Sequence, residues 1–121
     1  MEVGTKLAWA ALALIHAAPA AVVFRPALLE RLYQVAPQGD LGVLLVHRGA
    51  LFLAIVAGCL YAAFEPDARR GMTLVVAISV VSFLILYARA GFPAGALRPI
   101  AVGDVVALAP LMWLAIAAWR A

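Results

Sequence analysis

The chain has 121 residues, of which 68% are hydrophobic and 12% charged, with a net charge of +3 and a mean hydropathy of +1.09. Soluble domains run nearer ~45–50% apolar and ~25% charged, so a water-soluble globule is excluded and the bilayer must solvate much of this surface. The nine Lys and Arg residues are scattered among apolar runs. They form no basic face for a nucleic acid and suit juxtamembrane contact with anionic lipid headgroups.

Four apolar stretches follow one another: Leu7–Phe24, Leu41–Phe64, Met72–Ala88 and Ile100–Trp119. Each approaches the ~20 residues that cross ~30 Å of hydrocarbon at ~1.5 Å per residue. The predicted fold is therefore an all-α integral membrane protein, a four-transmembrane-helix bundle in one domain. A cleaved signal peptide competes for the first stretch, because Lys6 precedes an apolar run and an Ala-rich segment follows it. Its membrane-sized length favours a span.

The breaks have local causes. Arg25-Pro26 ends the first span, and Pro26 suits the start of a short helix over Pro26–Val35, with Leu28, Leu29, Leu32 and Tyr33 on one face and Glu30 and Arg31 on the other. This helix is expected to lie along the membrane surface with its Leu/Tyr side in the headgroup boundary. Pro37-Gln38-Gly39-Asp40 stops it, with Asp40 as the expected N-cap of span two. The polar turn Glu65–Arg70 makes spans two and three antiparallel neighbours, and Gly91–Gly95 joins spans three and four. An even number of crossings puts both termini on one side. That side carries Lys6, Arg69, Arg70 and Arg120 against Arg25, Arg31 and Arg98 opposite, a positive-inside bias toward cytoplasmic termini.

In span two, Ala50, Ala54, Gly58 and Ala62 recur every four residues and form a stripe of small side chains for close helix packing. Lone Cys59 can build neither a disulfide framework nor a thiolate metal cage within the chain and reads as apolar filler. Pro19 and Pro110 should kink their helices, and Ser79 and Ser82 can donate across the bundle. Trp9, Trp113, Trp119, Tyr61 and Tyr87 are expected in interfacial belts.

Polar residues inside the apolar runs carry the functional signal. His16, His47, Arg48, Arg89 and Asp104 come from all four spans and fall in the same half of the bilayer, with His16 and His47 both about 9–12 Å from one face. Ionisable groups at depth are costly and mark sites. An Arg48–Asp104 ion pair is the expected core of this cluster, either as part of a pocket or as a lock between spans two and four. Snorkelling of Arg48 or Arg89 to the headgroups is the other reading of the arginines. His16 and His47 could serve as axial ligands of a b-type haem or take part with Asp104 in a proton relay. Taken singly, each histidine also reads as hydrogen-bonded within the core. No phosphate loop, nucleophile elbow or His-Glu-x-x-His helix is present, which disfavours soluble-type catalysis.

The succession Leu32-Tyr33, Val46-His47-Arg48-Gly49-Ala50-Leu51-Phe52, Ser82-Phe83 and Asp104 resembles that of a group of short bacterial four-span inner-membrane proteins of uncharacterised function. The resemblance implies a fold and an inner-membrane address and assigns no reaction. Gly49 stands where the pattern has Ala, which reads as a harmless departure. Two function classes follow. One is a non-enzymatic membrane module, a lipid or small-ligand binder or an accessory subunit, with membrane lipids and a second copy or larger complex as partners. The other is a redox protein holding haem or quinone through His16 and His47.

Overall fold

The computed structural model describes residues 2–120. Among them it contains α1 (Glu2–Ala20), α2 (Leu28–Tyr33), α3 (Gly39–Phe64), α4 (Arg69–Arg89) and α5 (Leu97–Arg120), with single 3-10 turns at Ala21–Val23 and Pro66–Ala68 and no strand. The four long helices are long and apolar enough to cross a membrane. Of their most apolar windows only 33%, 17%, 22% and 28% is buried inside the molecule, in chain order. The remainder is an exterior of exposed Leu14, Val43, Leu51, Ile78, Leu86 and Val106 among others, far more contiguous apolar surface than water tolerates on a monomer.

The buried faces repeat at helical spacing. On α1 they are Thr5, Trp9, Leu12, Ala13, His16 and Ala20, and on α5 they are Ala101, Asp104, Ala107, Leu111 and Leu114, the pattern of one stripe turned inward. α1 is the centre of the bundle and packs on α3 and α5, while α4 packs mainly on α5. α3 and α4 are antiparallel, yet they touch each other far less than the short turn between them suggests. Trp9, Leu12, Cys59, Val76, Val80 and Ala107, all fully buried, form the core.

Several local expectations are corrected. Trp9 and Tyr87 turn into the protein rather than outward. Trp9 is fully buried, and the Tyr87 hydroxyl donates to the Pro93 carbonyl at 2.7 Å, tying the α4–α5 loop to α4. Asp40 does not cap α3. The N-cap is Gln38 in extended conformation, and Asp40 sits in the first turn, where its charge complements the helix dipole. α2 is shorter than Pro26–Val35. Its apolar face turns onto the bundle, with Leu29 fully buried and Leu28, Leu32 and Tyr33 half-buried, while Glu30 and Arg31 are exposed.

Close packing of α3 also differs from the predicted stripe. Ala54 is exposed, while a Cβ at Gly58 would meet the Met72 Cε at 2.5 Å. The tightest approach to another helix falls at Gly49, where a Cβ would run into Val22 Cγ2 and come within 3.0 Å of the Pro19 carbonyl oxygen. The glycine that looked like a harmless departure is what lets α3 press against the end of α1.

The first turns of α1 and α4 and the last turns of α3 and α5 lie together at one end of the bundle. Arg69 donates through Nε to the Ala62 carbonyl at 2.8 Å and through Nη2 to the Ala63 carbonyl at 2.9 Å. It also pairs with Glu2 at 2.7 Å. One side chain thus satisfies two carbonyls at the C-terminus of α3, which have no partner in their own helix, and neutralises an acid at the start of α1. Arg70 does the same for α5, donating to the Ala118 carbonyl at 2.9 Å.

Candidate functional site

At the opposite end of the bundle, α1, α2, α3 and α5 line a partly open cavity of ≈ 210 Å³. Its walls are mostly apolar, with Ile15 and Pro19 from α1, Leu32 and Tyr33 from α2, Phe52 from α3 and Ile100 from α5. Two buried polar side chains line it, His16 at 2% exposure and Asp104 at 8%.

The His16 ring is oriented by its own helix. Nδ1 donates to the Leu12 carbonyl one turn earlier, at 2.8 Å. A carbonyl only accepts, so Nδ1 carries the hydrogen and Nε2 of the neutral ring presents a bare lone pair. Nε2 is buried and has no hydrogen-bond partner. Such an orphan is uncommon in a folded interior, and leaving it unpaired costs roughly 1–3 kcal/mol. Phe52 supports the ring, with centroids 5.6 Å apart and planes inclined by 35°. Asp104 has neither a hydrogen bond nor an ion-pair partner among the described residues.

The predicted Arg48–Asp104 contact is not made. The Arg48 guanidinium instead lies over the Phe52 ring at 4.7 Å and the Phe83 ring at 5.4 Å. Phe52 therefore stands between two polar centres, lining the His16–Asp104 cavity and also a second crevice that holds Arg48.

His47 and Arg89 are not brought into the cluster. Both are exposed, His47 on the outer side of α3 and Arg89 at the C-terminal end of α4. Shared depth along the span was readable from the sequence, whereas facing was not. Adjacent residues point about 100° apart around a helix, and here that step takes His47 to the exterior and Arg48 into the crevice beside α4. Tyr33 and Phe52 line the cavity without having stood among the sequence candidates. For Tyr33 the available signal was its place beside Leu32 on the apolar face of α2.

The fold and this cavity together define an all-helical protein with four long apolar helices, three of which, with α2, line a small, mostly apolar pocket holding two buried polar side chains. Comparison with family models, curated proteins and solved structures gave no match.

Proposed function

We propose that this chain is a non-enzymatic multi-pass protein of a bacterial inner membrane that binds a small ligand or lipid headgroup in the His16–Asp104 pocket, alone or as the accessory subunit of a membrane complex. The carrying observation is the buried, unpartnered Nε2 of His16 at the wall of that cavity. An acceptor held in place by a second hydrogen bond selects a ligand with a hydroxyl or N–H group. Asp104 takes a second hydroxyl or an amine on the same molecule. At ≈ 210 Å³ the pocket is smaller than the ~300–1,000 Å³ of drug-sized sites, so the occupant is compact, a single ring or a headgroup.

Cytoplasmic termini belong to the same proposal, although Lys6, Arg69, Arg70 and Arg120 at that end are balanced by Arg25, Arg31, Arg89 and Arg98 at the other, so charge alone does not decide the orientation. Reporter fusions at both ends test this, and opposite-side signals would overturn it. The redox alternative keeps only a quinone-like ring hydrogen-bonded to His16. A haem held by His16 and His47 draws no support from the exposed position of His47.

The test is extraction of protein purified in mild detergent, with the released small molecules compared by mass spectrometry. One species should accompany the wild type in near-stoichiometric amount and fall at least about tenfold in both His16→Ala and Asp104→Asn, as loss of about 1.4 kcal/mol or more implies. Identical extracts from all three proteins would contradict the proposal. The visible absorption of a ligated haem in the purified protein would favour haem instead.

A further inference from the structure

The crevice beside the pocket has chemistry of its own. α3 and α4 are joined at the Glu65–Arg70 turn and meet closely near it, where Met72 fills the space above Gly58. Away from the turn they leave a groove of ≈ 190 Å³, with Arg48 and Phe52 from α3 facing Ser79, Ser82 and Phe83 from α4. Arg48 is half-buried there, and its Nε is buried with no hydrogen-bond partner. No carboxylate pairs with it among the described residues.

Two aromatic faces hold the guanidinium in place without neutralising it. A ring offers a partial negative face, whereas an arginine carries five donors and a full charge that an apolar groove leaves unsolvated. What is missing is an oxyanion.

We propose that this groove binds an anionic phospholipid of the surrounding bilayer, its phosphate on Arg48 and an acyl chain along the apolar flank of the groove. Three observations select that occupant. The charge calls for an oxyanion, and phosphate takes two parallel N–H bonds from a guanidinium. Leu51 and Leu86, at 56% and 62% exposure, line the same groove and continue it onto the apolar exterior. The volume of ≈ 190 Å³ suits a headgroup and part of a chain, and excludes a helix ~10–12 Å wide.

Depth permits the contact. The 26 residues of α3 span about 39 Å and overhang a ~30 Å hydrocarbon layer by about 4–5 Å at each end. Arg48, nine residues after Gly39, then lies about 9 Å below the hydrocarbon edge, a gap that the arginine's reach and local thinning of the bilayer close. The Ser79 hydroxyl supplies a further donor in the groove, while the Ser82 hydroxyl donates to the Ser79 carbonyl at 3.3 Å.

The site is separate from the His16–Asp104 pocket, and the test separates them. Detergent-purified full-length protein is offered phosphatidylglycerol or phosphatidylcholine and examined by native mass spectrometry, with inorganic phosphate as competitor. Phosphatidylglycerol should be retained at least tenfold over phosphatidylcholine, and inorganic phosphate should not displace it. Arg48→Gln should abolish the preference, while His16→Ala and Arg98→Gln, in the first turn of α5, keep it. Should Arg48→Gln fail to fold, photoactivatable phosphatidylglycerol on the wild type decides, with cross-links expected within residues 48–55 and 79–86. Equal retention of the two lipids, labelling elsewhere, displacement by inorganic phosphate, or a lipid-free dimer sealed at α3 and α4 would overturn the proposal.

Discussion

Gly49 shows how much one missing methyl group decides. Its neighbours are the Val22 side chain and the Pro19 carbonyl, and a backbone oxygen cannot rotate away as a side chain can. Gly49→Ala should therefore lose about 1–3 kcal/mol, the usual cost of overpacking, seen as a lower melting temperature in detergent. Gly71→Ala is the control. Nothing lies within 4 Å of a Cβ there, and a helix gains about 1 kcal/mol from the exchange, so this variant should melt no lower than the wild type. Residue identities at the site were legible because ionisable groups are rare in apolar spans. Their directions were not, since one step along α3 carries the chain from exposed His47 to the groove-lining Arg48.

Among the elements, the four long helices were legible from hydropathy and length, and the Leu/Tyr face of α2 from its spacing. Which side of α2 faced what was not. A face of Leu28, Leu29, Leu32 and Tyr33 reads the same whether it meets headgroups or a bundle, and the structure puts it against the bundle. Arg69 was similarly ambiguous. As a turn residue it counted only as a positive charge, whereas its side chain closes the end of α3 and reaches Glu2. Arg69→Gln should cost about 1 kcal/mol or more through the lost carbonyl hydrogen bonds. Glu2→Gln should lower the melting temperature less, because Glu2 is exposed and the two carbonyls stay capped. Equal losses in the two variants would mean that the ion pair, and not the cap, carries the stability.

For the whole molecule, helix order was the property the sequence concealed. Short loops suggest sequential neighbours, but α1 sits centrally between α3 and α5, and α4 leans on α5 rather than α3. That order makes both polar features. α1 and α5 bring His16 and Asp104 to one cavity beneath α2, and the looseness between α3 and α4 leaves the groove around Arg48. Arg48 lies over Phe52 rather than on Asp104, which leaves Asp104 without an ion-pair partner among the described residues. A crystal structure of the protein grown from native lipid in a lipidic mesophase tests this most directly. Ordered non-protein density should bridge His16 Nε2 and Asp104, with Arg48 still lying over Phe52. An Arg48–Asp104 ion pair filling an otherwise collapsed pocket would contradict it.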